Sequence, residues 1–360
     1  VTDDVQMALD RLVAAGVPGA IAYSRFGMRA SGIGDRRTGA PARVGDRFRI
    51  GSNTKPFVAA VVLQLVAEGR LVLDDPVTFA PAPDITLRHL LQHTSGLPEY
   101  SDDPRLLAPY ITHPEHHWEP RDLLALVDGQ ETFAPGAKFA YANTNYILLG
   151  LVIEAVTGNS AADEVHRRLI EPLRLTGTTF PVRGAAIPGR HLRGHLTNLP
   201  ASYGVPDGIL DFTDLSPSIG WTAGGMVSTV ADLARFHRAL LTGRVLSPEL
   251  GRAMIAEAKP HGYGLGLARI ILPGIKGWGH NGRFPGYLSI VMTSDNGVRQ
   301  AVVALNTDRV LSPEAEAATE EVLRAAFSAR SAGPQSCADS RMWPGLTRQK
   351  RRTPSPAERP

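Results

Sequence analysis

Residues 48–68 read Phe-Arg-Ile-Gly-Ser-Asn-Thr-Lys-Pro-Phe-Val-Ala-Ala-Val-Val-Leu-Gln-Leu-Val-Ala-Glu. Phe57, Val58, Val61, Val62, Leu65 and Val66 recur at intervals of three and four, which predicts a helix from about Thr54 to Glu68. Upstream, Pro18 to Ser24 and Arg29 to Gly34 are short runs of β-formers and small residues, predicting a strand pair that turns around Phe26-Gly27. Val5, Leu9, Leu12 and Val13 put a further helix before them.

Downstream, the pattern from Asp74 to about Asp214 is helical and loop-rich, with helices predicted at Thr86 to Gln92, Arg121 to Val127, Tyr146 to Val156 and Ala161 to Leu169. Past Trp221 comes a helix at Val230 to Leu241, then β-type segments at Tyr263 to Leu272, Gly286 to Ser294 and Val298 to Leu305. Asp295-Asn296-Gly297 forms a hairpin signal between the last two. An amphipathic helix at Pro313 to Phe327 follows. The two ends of the chain therefore supply an antiparallel sheet with helices and the middle supplies an inserted helical domain, an α/β (α+β) architecture. The expected boundaries are residues 1–73 plus 216–328 for the sheet domain, 74–215 for the helical domain, and 329–360 for a disordered tail. A ligand cleft is expected between the two domains.

The chain has 360 residues, 43% hydrophobic and 20% charged, with a single cysteine, Cys337. That rules out an internal disulfide and a cysteine-rich metal site. No apolar run reaches the length of a membrane-spanning helix. Residues 329–360 hold seven Lys or Arg against Asp339 and Glu358, so the net charge of +3 describes that proline-rich tail. No nucleic-acid partner is expected. Val1-Thr2-Asp3-Asp4 carries no targeting pattern.

Chemistry concentrates at Ser52-Asn53-Thr54-Lys55. Residues three apart share a helical face, so Lys55 reaches the Ser52 hydroxyl, and a lysine desolvated in a cleft has a lowered pKa and can take that proton. The tetrad alone also fits a helix-capping Ser followed by a solvated Lys. Tyr141-Ala142-Asn143, expected in an irregular turn before the Tyr146 helix, offers a phenol for proton transfer and a carboxamide for hydrogen bonding. Gly279-His280-Asn281-Gly282-Arg283 is expected where one strand ends and the next begins, with Gly282 allowing a bound acyl group to approach the backbone.

Taken in order, Ser52-x-x-Lys55, Tyr141-x-Asn143 and His280-x-Gly282 resemble the motifs of the penicillin-recognising serine hydrolases: class C β-lactamases, DD-peptidases and related esterases. Flanking stretches agree, among them His93-Thr94-Ser95-Gly96 and Trp221-Thr222-Ala223-Gly224-Gly225. The resemblance covers residues 5–328 and is nearest to actinobacterial D-alanyl-D-alanine carboxypeptidases. It implies a β-lactamase/transpeptidase-like fold and catalysis through an acyl-Ser52 intermediate, with Lys55 and Tyr141 sharing the proton work. It further implies that Asn143 binds the acyl-side amide, that His280 supports Tyr141 electrostatically, and that the backbone N–H groups of Ser52 and Arg283 form the oxyanion hole. Substrate-binding residues carried over are Trp221, Asn281, Gly282 and Arg283, Trp221 being equally readable as a packing aromatic.

The third motif departs from the β-lactamase pattern: His280 stands where most have lysine, while Asn281 and Arg283 stand where carboxypeptidases favour hydroxyl residues. Arg283 either binds a substrate carboxylate or points to solvent. A small peptide or ester is the expected substrate, β-lactams are expected covalent ligands, and esterase, D-amino-acid amidase, acyltransferase or peptide cyclase activities are the alternatives. A β-lactamase or a catalytically silent binding protein ranks behind them. His89, His93, His113, His116 and His117 lack a zinc-site pattern, and Ser-Lys chemistry needs neither metal nor cofactor. The resemblance favours a secreted monomer, and a cytoplasmic one if residue 1 is the true start.

Overall fold

The structure is a computed structural model that describes residues 3–329 apart from 82, 107–111, 131, 198–208, 257–260 and 309–311. Seven antiparallel strands form the main sheet: β1 (Gly19–Ser24), β2 (Gly27–Asp35), β3 (Ala40–Pro41), β8 (Ala268–Leu272), β9 (Ile275–Phe284), β10 (Tyr287–Thr293) and β11 (Gln300–Leu305), in the order β3-β2-β1-β11-β10-β9-β8. Short pairs β4 (Phe48–Arg49) with β7 (Val227–Ser228), and β5 (His195–Leu196) with β6 (Leu210–Asp211), lie outside it. The first and last strands meet at the centre, where Ala20 pairs with Leu305 and Ser24 with Ala301.

Alternation along β1 and β11 explains how both faces are buried. Ala20, Ala22, Ala301, Val303 and Leu305 face the terminal helices Asp4–Ala14 and Pro313–Ser328, joining Leu9, Leu12, Val322, Leu323 and Phe327 in one cluster. Ile21, Val302 and Ala304 face the other way, into the larger core. Arg11 Nε donates to Glu321 at 2.9 Å across the two terminal helices.

The helix that decides the fold runs Lys55–Ala67 and is preceded by a 3-10 turn, Gly51–Thr54. Ala59, Ala60 and Leu63 are buried as fully as five of the six periodic positions, Val66 being half-buried, so the helix is the centre of the larger core rather than a one-sided amphipath. Helices Leu87–Leu91, Pro120–Ala125, Thr144–Thr157 and Ala161–Val165 stand where periodicity put them, the last extended by a π turn, His166–Ile170. The described residues between Thr2 and Ala329 form one compact unit, within which the expected 73/74 and 215/216 boundaries fall; the tail expectation lies outside the described residues. Among the described residues no helix is long and apolar enough to cross a membrane.

One expectation is corrected. Residues 279–283 are not a junction between strands but the interior and end of the ten-residue β9, with His280 paired to Val291 and Arg283 to Leu288. Glycines at 277, 279 and 282 obscured the strand, because glycine is depleted from strands in general. Here each is a close approach: a Cβ would stand 2.7 Å from Thr293 O at Gly277, 1.8 Å from Val291 O at Gly279 and 1.9 Å from Ile50 O at Gly282.

Candidate active site

The β4–β7 pair and the Ile50 N–H donated to Met226 O at 3.0 Å hold the chain entering the Gly51–Thr54 turn. Asn53, fully buried, ties that turn to β9. In the amide orientation that satisfies both its ends it donates to His280 O at 3.0 Å and accepts from Ser289 Oγ at 2.9 Å and Gly282 N at 3.2 Å. Gly51, at φ 52°, lies against the Arg283 backbone, bringing the following Ser52 beside the end of β9.

Ser52 is therefore not a helix cap. It sits inside the 3-10 turn, and its Oγ accepts from Lys55 Nζ at 3.0 Å and from the Tyr141 hydroxyl at 2.9 Å. Lys55 is fully buried, so the solvated-lysine alternative does not hold. Its Nζ also donates to Asn143 Oδ1 at 2.6 Å and Ala223 O at 2.8 Å, and lies over the rings of Tyr141 and Tyr146 at 4.9 and 5.4 Å. Burial lowers the ammonium pKa to about 7, against the opposing pull of the Glu99 carboxylate. Near neutral pH the amine is thus poised to accept a proton.

Tyr141 behaves oppositely. The residue as a whole keeps 38% of its surface exposed, while desolvation raises the phenol well above its ordinary value. It is a proton donor at neutral pH.

Asn143 is positioned by its backbone N–H, which donates to Glu99 Oε2 at 2.7 Å, and spends its Oδ1 on Lys55. Only its Nδ2 is left to face a ligand. Ala142 and Asn143 immediately precede the Thr144–Thr157 helix, in the irregular stretch the sequence indicated. His280 is fully buried on β9 and turned toward Tyr263, whose hydroxyl lies 3.0 Å from Nε2, while Nδ1 meets its neighbour's carbonyl, Asn281 O, at 2.5 Å. Burial and the nearby Lys55 lower its pKa to about 3. The ring is neutral, 6.3 Å centre to centre from Tyr141, and offers that phenol no positive charge, which corrects the expected electrostatic support.

Asn281 and Arg283 point out of the buried face of β9 and Gly282 into it. Among the described residues the Arg283 guanidinium makes no hydrogen bond or ion pair. Trp221 is 5% exposed and packs in the core, where a Cβ on Gly150 would meet its Cζ3 at 2.7 Å. Packing is thus the role the structure shows for it. The turn it opens, Trp221–Gly224, presents the Ala223 carbonyl to Lys55. Of the histidines weighed as ligands, His89 caps the Leu87–Leu91 helix by taking the Thr86 N–H at 3.3 Å, and His93 is buried beside Tyr141. Glu99 and Tyr263 are site residues that sequence reading missed.

The Beta-lactamase family matches residues 8–327, nearly the whole described chain. The chain belongs to that family. It is a serine hydrolase of the penicillin-recognising superfamily. Esterase EstB of Burkholderia gladioli is 32% identical over 68% of this chain and 71% of its own length. Penicillin-binding protein 4 of Amycolatopsis lactamdurans is 30% identical over 72% of each. Among solved structures, a D-stereospecific amidohydrolase from Streptomyces sp. superposes with a TM-score of 0.79 at 35% identity, covering 90% of this chain and 98% of that one. The D-amino acid amidase of Ochrobactrum anthropi SV3 gives 0.80 at 27%, covering 90% and 97%. The two solved structures share a β-lactamase-type fold with this chain, and the names of the four relatives span penicillin binding, esterase and amidase chemistry.

Proposed function

We propose that this family member hydrolyses amide bonds of D-configured amino-acid amides and short peptides through an acyl-Ser52 intermediate. The observation that carries the reading is the convergence on Ser52 Oγ of two groups of opposite proton character, Lys55 Nζ at 3.0 Å and Tyr141 OH at 2.9 Å. With the Lys55 pKa near 7 and the phenol held well above its ordinary value, Lys55 is the base and Tyr141 the acid.

Ser52 Oγ attacks the carbonyl carbon as its proton passes to the Lys55 amine. Tyr141 gives its proton to the leaving nitrogen and recovers one from the Lys55 ammonium. Water then attacks the acyl ester by the same path in reverse. The backbone N–H groups of Ser52 and Arg283 take the oxyanion, and Asn143 Nδ2 takes the acyl-side carbonyl; each such donor is worth on the order of 10² to 10³ in rate. The D-configuration is suggested by the named activities of the Streptomyces and Ochrobactrum proteins. Penicillins, which carry a strained amide, should acylate Ser52, as the kinship with a penicillin-binding protein suggests.

D-alanyl-D-alanine carboxypeptidase activity is a second reading, favoured by the exposed Arg283 guanidinium beside the site, unpaired among the described residues, which suits a terminal carboxylate. The test is intact mass after incubation with a fluorescent penicillin, then kcat/KM for a D-amino-acid amide, a D-Ala-D-Ala acid and a short aryl ester. Preference for the D-amide supports the proposal. No adduct and no amide turnover would sink it.

A further inference from the structure

His93 opens the His93-Thr94-Ser95-Gly96 stretch, which none of the chemistry above uses. It is fully buried and adopts φ 58°, a left-handed conformation uncommon for a residue with a side chain. Such conformations persist where surrounding contacts over-determine them, and the hydrogen bonds of its carbonyl and ring run to one place, residues 140–145. The His93 carbonyl accepts the Ala140 N–H at 2.9 Å. Its Nδ1 accepts the Ala142 N–H at 3.2 Å and lies 3.1 Å from Asn145 Nδ2. Its ring lies 4.2 Å, centre to centre, from that of Tyr141 at a 30° tilt. Two residues on, the Ser95 hydroxyl donates to Asn145 Oδ1 at 2.5 Å, fixing the amide so that its nitrogen faces His93.

We propose that His93 is a positioning residue for Tyr141, clamping the backbone on both sides of it and bracing its ring so that the phenol hydroxyl is aimed at Ser52. The placement of Tyr141 is a matter of geometry; its assignment as the acid rests on the function proposed above.

The clamp works only in one protonation state. An imidazole that accepts at Nδ1 carries its proton on Nε2, and a second proton would have to displace the Ala142 N–H. The surroundings hold it there. Burial lowers its pKa well below the ordinary histidine value, Lys55 opposes a further positive charge, and Tyr141, Tyr146 and Tyr263 close round the ring.

The experiment compares His93→Asn with His93→Phe. Asparagine tolerates the left-handed backbone and can place its Oδ1 where Nδ1 stands, whereas phenylalanine keeps a ring and loses the acceptor. With an aryl ester as substrate, His93→Phe should lose on the order of 10² in kcat at little change in KM, and His93→Asn should recover most of it. Imidazole ¹⁵N spectra of the wild type should show His93 as the neutral Nε2–H tautomer from about pH 5 to 8. This readout does not depend on turnover or on either variant folding. Wild-type kcat in His93→Phe, equal damage in both folded variants, or an Nδ1–H or titrating His93 would each overturn the proposal. A missing penicillin adduct in the wild type would instead count against the function proposed above.

Discussion

Gly51 and Arg283 touch backbone to backbone: a Cβ on Gly51 would stand 2.5 Å from the Arg283 carbonyl oxygen and 2.7 Å from its nitrogen. No side chain fits there, and φ 52° is itself a conformation that costs an L-residue about 1–2 kcal/mol. Gly51→Ala must therefore push the Ser52 turn away from β9 and open the gap between the two backbone N–H groups proposed as oxyanion donors. The expected outcome is a lower melting temperature together with a loss of acylation on the order of 10², since one misplaced donor is worth that much. An alanine variant that is less stable yet acylates at the wild-type rate would separate this contact from catalysis and refute the oxyanion assignment.

Ser52→Ala should abolish the penicillin adduct while leaving stability almost unchanged. Ser52 caps no helix, so the usual loss of about 1 kcal/mol on removing a cap does not arise. Lys55 keeps Asn143 and Ala223 as acceptors. Intact mass and a thermal melt decide the matter. An adduct that persists in the variant would place the nucleophile elsewhere.

How much of this was legible in the sequence can be judged residue by residue. The terminal helices show in their periodicity, because burial of a helical face imposes spacings of three and four, whereas Lys55–Ala67, buried nearly all round, shows the same spacings within a long apolar run. Ser52 and Lys55 show for the same reason, being one turn apart. β9 does not show, since the residues that let it lie against β10 and the Ile50 carbonyl are glycines, which lack the branched or aromatic character by which strands are recognised. Glu99 and Tyr263 are invisible locally: the first meets Asn143 across 44 residues and the second meets His280 across 17, through contacts only the folded chain creates. The charge states are likewise tertiary. Nothing about His280 in the sequence says that it is neutral; burial beside Lys55 makes it so.

Arg283 separates the two substrate readings. Its side chain is exposed and without an ion-pair partner among the described residues, so a ligand carboxylate on the leaving-group side would gain a charge-assisted contact of about 1.5–3 kcal/mol. Comparison of kcat/KM for a D-Ala-D-Ala acid and its C-terminal amide, in wild type and Arg283→Thr, measures that gain directly. If the guanidinium binds substrate, the acid-to-amide ratio falls at least tenfold in the variant, corresponding to about 1.4 kcal/mol. An unchanged ratio leaves Arg283 only its backbone role and removes the support for the carboxypeptidase reading.

Lys55 links catalysis to stability with a definite sign. At pH values below its folded pKa of about 7, both the folded and the unfolded chain carry the proton, and the folded chain bears the cost of a buried charge. Between about 7 and the ordinary lysine value of 10.5, the unfolded chain still holds the proton while the folded one has released it, so this group makes stability rise with pH across that window. Lys55→Met removes the charge altogether. The acceptors it abandons, Asn143 Oδ1 and Ala223 O, impose a penalty that depends little on pH, so the pH-dependent part of the comparison isolates the ammonium. Relative to wild type, the methionine variant should be favoured most at pH 6 and progressively less by pH 9, while acylation is lost throughout. Wild-type acylation should show an acid limb with its midpoint near 7. A melting-temperature difference that stays flat from pH 6 to 9, or a wild-type rate that does not fall below neutral pH, would mean that Lys55 is charged at working pH, and Tyr141 would then have to take over as the base.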